Sequence, residues 1–307
     1  MGFQNTRRDR SPATLMPIVN LPAGRQVLAY AVVFQSPIHI RQSPIIPGTL
    51  VAMRILLSND DGILAPGLAA LHRAVCDLGE VSVVAPDSPQ SAAGQAITLT
   101  HALTVKRVTV SPGGFAGISV DGRPADCVRL AIRNLLDQRP ELVLSGINAG
   151  SNVGINVFYS GTVAAAAEGA MFGIPSVAFS AALTAAVDFD RIARLCRMVL
   201  DRLLQSRLAP GDLVNVNIPP LASGVPKGVR VVRQSTAGLD DIYNRQVIDG
   251  KECYRIGDDY GFSGADVGTD VVALAEGYVT VTPLHIDRTD ERGMERLRGC
   301  SWDDVLG

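Results

Sequence analysis

Two aspartates stand side by side at Asp60-Asp61, separated by Asn59 from the end of the apolar run Met53-Arg-Ile-Leu-Leu-Ser58. Adjacent carboxylates repel, and a low-dielectric site magnifies that cost. A bound divalent cation removes it. No His or Cys pair lies near, so hard oxygen ligands favour Mg²⁺, Mn²⁺ or a similar ion over structural Zn²⁺. The hydroxyl of Ser91 and the amide oxygen of Asn148 offer further oxygen donors on later loops. The same Asp-Asp-Gly62 also suits a turn or a helix N-cap, both common uses of Asp. Ser160-Gly161-Thr162 precedes the Ala-rich stretch Val163-Ala-Ala-Ala-Ala-Glu168 and reads as a helix start. Free N–H groups and hydroxyls at such a start suit a phosphate oxyanion, and plain N-capping is the competing reading. His285 sits just past the last strand pattern, where a structural imidazole and a general acid are both chemically reasonable. His72 and His101 receive no role, and Cys127 reads as buried packing.

The elements that must position these groups follow a repeating strand–helix pattern. Met53–Ser58 suits a strand buried on both faces. Pro66 opens a helical spacing through Leu68, Leu71, Val75 and Leu78, ended by Gly79. Val81–Ala85, Leu142–Ser145 and Ile174–Ser180 read as further strands, and β-rich pieces are expected at Ala96–Leu99, Leu103–Val110 and Gly117–Val120. Helices are expected from Pro124 through Leu136, after Ser160, and over Phe189–Leu204. This alternation predicts an α/β fold, a Rossmann-like three-layer α/β/α arrangement with a mainly parallel sheet. Right-handed crossovers put the loops after the strands on one edge, where open α/β proteins bind ligands. Beyond residue 205 the pattern changes. Leu213–Ile218 and Gly228–Arg233 read as strands, 235–269 as an extended β arm with a hairpin at Asp249-Gly250, Asp270–Ala275 as a short helix and Tyr278–Thr282 as a last strand. An arm with so little apolar periodicity is expected to pack on a second subunit.

Composition removes whole classes. The formal charge of −2 and the pI near 6.1 leave no basic surface for duplex nucleic acid. Five scattered cysteines without a C-x-x-C exclude a disulfide framework or zinc module and suggest a reducing compartment, hence the cytoplasm. Residues 1–52 differ from the rest, with six prolines, five Arg and no Lys against the single acid Asp9, a formal charge of +4 that leaves −6 for the remainder. Their longest apolar run, Val27–Phe34, is far shorter than the ~20 residues of a membrane helix, so no membrane partner is expected. This segment is expected to be disordered or a non-native start, with Met53 opening the functional protein. Neither G-x-x-x-x-G-K-[ST] nor a strand-following G-x-G-x-x-G occurs, so P-loop and dinucleotide readings fail.

Taken together, Arg54–Gly62, Ala65-Pro-Gly67, Val84-Ala-Pro-Asp87 with Ser91, Ser145–Gly150, Tyr159–Val163 and Gly277–His285 resemble the SurE family of survival-protein 5′/3′-nucleotidases. The similarity runs in order from Met53 to about Asp287, leaving 1–52 and the tail 288–307 without counterpart. It implies a core at about 53–234, an oligomerisation arm at about 235–269 and a return to the core at about 270–287. It further implies a metal-dependent phosphomonoesterase that releases phosphate from nucleoside 5′-monophosphates, with 3′-monophosphates as an additional option, and a homodimer or homotetramer formed through the arm. Carried over position by position, the ligands of one divalent ion per subunit fall on Asp60, Asp61, Ser91 and Asn148, with Asp60 and Asp61 also catalytic. The phosphate loop falls on Ser160, Gly161 and Thr162, with Asn59 and Asn152 close by. In this sequence Ser88-Pro89 follows Asp87 where the family often has a basic or polar residue, a departure that bears on substrate preference. The rival class is a non-catalytic nucleotide- or phosphate-sensing protein on the same fold.

Overall fold

The computed structural model describes residues 30–34, 53–111, 114–182, 187–221, 224–238, 243–257, 261–302 and 305. In chain order the elements are β1 (Tyr30–Phe34), β2 (Met53–Ser58), α1 (Pro66–Val75), β3 (Gly79–Pro86), β4 (Val105–Ser111), β5 (Phe115–Val120) and α2 (Pro124–Leu130), which runs into a π turn at Ala131–Leu135. Then come β6 (Leu142–Ala149), a 3₁₀ turn (Gly154–Phe158), α3 (Gly161–Met171), β7 (Ser176–Ala181), α4 (Phe189–Gln205), β8 (Leu213–Ile218) and β9 (Val229–Val231). The hairpin strands β10 (Tyr243–Ile248) and β11 (Lys251–Ile256), α5 (Asp270–Ala275), β12 (Val279–Leu284) and α6 (Glu291–Arg298) complete the described chain.

Ten strands form one sheet in the order β1-β4-β5-β3-β2-β6-β7-β8-β12-β9. The run β5-β3-β2-β6-β7-β8 is parallel throughout. The strands at its centre are continuously apolar because both faces are covered. Ile55 and Leu57 of β2 join a core with Leu68 and Leu71 of α1 and Cys196 and Leu200 of α4. Leu56 points the other way, into a core with Cys127 and Val128 of α2 and Ala165 of α3. This is the expected three-layer α/β/α arrangement. The chain passes from β2 to β3 on one side and later returns to place β6 on the other, so the order reverses at β2/β6. In open sheets of this kind ligands bind beyond the carboxyl ends of the strands at such a reversal.

One expected strand is corrected, and two further elements stand beside it. Ala96–Leu99 is not a strand, because Leu99 is 84% exposed and the Thr98 main-chain N–H bonds to a side chain, Asp126, rather than to a neighbouring strand. The tail 288–307 contains a helix, α6, started by Asp290 and carrying Glu291 in its first turn and two arginines in its last. Tyr30–Phe34, within the segment expected to lie outside the fold, runs antiparallel to β4 as the sheet's edge strand. Asp249-Gly250 does turn a hairpin, with Ile248 paired to Lys251. Among the described residues no helix is long and apolar enough to cross a membrane.

Candidate metal and phosphate site

The end of β2 is shaped by Asn59 and Gly62. Asn59 is fully buried, and its amide Nδ2 donates to the Gly62 carbonyl at 2.9 Å, closing a tight turn around the two aspartates. Gly62 takes φ +96°, a backbone region that side chains rarely adopt, which explains Gly at this position. The turn sends Asp60 toward α3 and Asp61 toward β6. Asp60 is buried and accepts a hydrogen bond from the Thr162 hydroxyl, and the main-chain N–H groups of Thr162 and Gly161 also favour its charge. Gly161 permits this closeness, since a Cβ there would lie 2.7 Å from Asp60 Cβ. Asp61 turns toward β6, where its Oδ2 accepts from the Ala149 N–H at 3.2 Å.

That contact sets Asp61 beside Asn148. The Asn148 amide nitrogen donates to the Gly150 carbonyl at 2.7 Å, which commits the nitrogen and leaves the side-chain oxygen as the free donor. Ser91 lies on the exposed loop after β3, next to Gln90, whose N–H donates to the Asp60 carbonyl at 2.8 Å. Hydrogen bonds therefore fasten the segments carrying all four oxygen donors to the end of β2.

The electrostatics favour a cation. Burial raises the Asp60 carboxyl above its usual value, opposed by the Thr162 hydroxyl. Burial first, and the charge of Asp60 second, push Asp61 up to about 6, with the Ala149 N–H opposing. A cation placed between the two acids would oppose both upward shifts. Among the described residues no three His, Cys, Asp or Glu cluster as ligands, so a cation held by the two carboxylates would need neutral oxygens as its further ligands. The buried Asn59 Oδ1 also lacks a hydrogen-bond partner at this point. An all-oxygen set with two carboxylates fits a hard divalent ion.

The helix start at 160–162 is placed as expected, but its hydroxyls are already in use. Ser160 Oγ caps α3 by accepting from the Val163 N–H at 3.1 Å, and the Thr162 hydroxyl serves Asp60. What α3 offers an anion is its N-terminal dipole, next to the acidic pair, since the Gly161 and Thr162 N–H groups face Asp60 and the Val163 N–H is capped by Ser160. Asn152 is buried and held from behind. Its N–H donates to Asn217 Oδ1 at 2.7 Å, its Nδ2 to Ser180 Oγ at 2.8 Å, and its carbonyl accepts from Asn215 Nδ2 at 2.7 Å. Sequence reasoning missed Asn215 and Asn217. Their signal was two amides at alternate positions of the otherwise apolar Leu213–Ile218, which puts both on one face. His285 is exposed, with Nδ1 3.1 Å from the Asp287 carbonyl, and borders a cavity of about 640 Å³ shared with Gln95, Phe158 and Ser160.

Residues 55–241 match the family model described as survival protein SurE, and that segment holds every oxygen donor and the α3 start. The chain belongs to the SurE family. Among SurE relatives, the 5′-nucleotidase SurE of Desulfitobacterium hafniense strain DSM 10664 / DCB-2 is 44% identical over 248 residues, covering 80% of this chain and 96% of that protein. The 5′-nucleotidase SurE of Marinobacter nauticus is 42% identical over 255 residues, covering 83% and 97%. The crystal structure of the SurE protein from Aquifex aeolicus superposes with a TM-score of 0.69 at 40% identity, covering 80% of this chain and 98% of that one. His285 lies outside the segment that matches the SurE model.

Proposed function

We propose that this SurE-family chain is a divalent-cation-dependent phosphomonoesterase that hydrolyses nucleoside 5′-monophosphates to nucleoside and phosphate, with 3′-monophosphates as a second substrate. As a member of a family whose relatives are named 5′-nucleotidases, it is an enzyme of the phosphoric monoester hydrolase class. One observation carries the reading: the pair of buried Asp60 and half-buried Asp61 lies at the sheet's reversal point and abuts the N-terminus of α3, so a cation and a phosphate can sit side by side.

Asp60, Asp61, Asn148 and Ser91 would hold the cation, which when bound supplies charge neutralisation at the phosphate and a lowered pKa for water. The N-terminus of α3 favours the negative charge that builds on the phosphate oxygens. Asp60 is committed to Thr162 and α3, whereas Asp61 spends one oxygen on a single N–H. Asp61 is therefore the base that takes the proton of the attacking water. The water oxygen bonds to phosphorus, the ester P–O bond breaks, and the leaving ribose oxygen takes a proton. His285 is assigned as that acid because it shares a cavity with Ser160 at the start of α3. Its replacement, His285→Asn, should slow AMP turnover more than p-nitrophenyl phosphate turnover, because p-nitrophenolate leaves without needing a proton. Equal losses on both substrates would remove His285 from the chemistry.

The direct test is AMP hydrolysis by metal-stripped protein, with and without added Mn²⁺. Activity should appear only with the ion, and Asp61→Asn should abolish at least ~99% of it. Metal-independent turnover, or an active Asp61→Asn, would overturn the reading. Hydrolysis of a thiophosphate ester made chiral at phosphorus separates the two routes: direct water attack inverts the configuration, whereas an aspartyl-phosphate formed and then hydrolysed retains it.

A further inference from the structure

The segment between β3 and β4 carries Ser91 and has no helix or strand from residue 87 to 104. A stretch of that length without regular structure is uncommon unless it serves a site. It is also strained where it matters. Ala92, next to Ser91, has φ +54°, a left-handed conformation that L side chains rarely adopt. Such a conformation persists only where the surroundings fix it.

The fixing contacts are specific. Near Ser91, the Gln90 N–H donates to the Asp60 carbonyl at 2.8 Å and the Gly94 N–H to the Tyr159 carbonyl at 2.9 Å. Farther along, side chains of α2 and α3 take over. Asp126 is 3% exposed and collects three donors: the Thr98 N–H at 2.9 Å, the Thr98 hydroxyl at 2.6 Å and the Arg123 N–H at 2.9 Å. Glu168, equally buried, accepts from Gln95 Nε2 at 3.3 Å while paired to Arg129 at 2.7 Å. Neither acid belongs to the cation site, yet both are buried carboxylates whose hydrogen bonds reach into the Ser91 loop.

We propose that Asp126, with Glu168 as a second anchor, is a positioning residue that holds the Ser91 hydroxyl in ligating range of the cation bound at Asp60-Asp61. This rests on the metal reading given under Proposed function. Asp126 acts through the loop: losing it frees Thr98, lets the strained turn at Ala92 relax and withdraws Ser91 from the ion. Partners that orient a metal ligand typically account for 10–100-fold in affinity.

The test is a double-mutant cycle on full-length, metal-stripped protein, with Mn²⁺ affinity measured by titration calorimetry. Asp126→Asn and Ser91→Ala should each weaken Mn²⁺ binding by roughly tenfold or more. In the Ser91→Ala background Asp126→Asn should add almost nothing, because the ligand it positions is gone. Should Asp126→Asn fold poorly, Thr98→Val removes one donor, keeps the main-chain N–H and takes its place in the cycle. Additive losses, or unchanged affinity in Asp126→Asn or Thr98→Val, overturn the inference while leaving the metal reading intact. A wild-type chain that binds no Mn²⁺ overturns both.

Discussion

Asp61 carries the clearest pH signature in the molecule. Its carboxyl is raised to about 6 by burial and by Asp60. A carboxyl raised on folding contributes stability that is fully present below its unfolded value near 3.8. That contribution is lost as pH rises through about 6. Metal-free protein should therefore melt progressively lower from pH 4 to pH 7. Asp61→Asn should flatten part of that decline and raise Tm at pH 7.5 by roughly 2–4 °C, while removing activity. Mn²⁺ should raise the wild-type Tm at the same pH and leave Asp61→Asn nearly unmoved. Parallel melting curves for the two proteins across this range would contradict the electrostatic account. The acids themselves were legible in the sequence because charge at the end of an apolar strand demands a reason. The engagement of the Ser160 and Thr162 hydroxyls was not, since a hydroxyl at a helix start can serve the cap, a neighbour or a ligand equally well.

Among the elements, α3 does the most positioning. Its first turn meets Asp60 at a distance only glycine allows, because a Cβ on Gly161 would approach Asp60 Oδ2 to 2.9 Å and its Cβ to 2.7 Å. Gly161→Ala should push the carboxylate from its place, and a shift near 1 Å can cost about 100-fold in turnover. Unchanged circular dichroism alongside lost kcat/KM for AMP would locate the effect at the site, and a fully active variant would show that the contact has slack. The strands were readable because burial on both faces imposes apolar runs, as in Leu56-Leu57 and Leu142–Leu144. Ala96–Leu99 misled because the alternation of Ile97 and Leu99 with Thr98 imitates a half-buried strand, while long-range bonds from Asp126 and Glu168 decide the local path. α6 was hidden for a different reason: with Gly293 its only buried residue, it leaves almost no apolar periodicity to detect.

On the scale of the whole molecule, the hairpin of β10 and β11 stands outside the sheet. Its pairing puts Tyr243, Val247, Tyr254 and Ile256 on one face, around the Arg245–Glu252 ion pair, and Asn244, Gln246, Lys251 and Arg255 with Ile248 and Cys253 on the other. The four apolar and aromatic side chains are 42–68% exposed. An isolated two-stranded hairpin is marginal in water, so a one-sided apolar face on it asks for a packing partner. A second copy of the chain is the occupant we expect, since a two-fold contact can bury the same patch on both subunits at once. The base of the arm is firmly held: Asp270 at the start of α5 accepts from the N–H groups of Ser235 and Gly154, tying the arm to the loop after β6. Val247→Glu with Tyr254→Glu places charge on that face without touching the sheet. Light scattering after size exclusion should give an oligomer for the wild-type chain and a monomer for the double variant, with the far-ultraviolet spectrum preserved. An identical mass for both proteins would leave the hairpin face without a role in assembly.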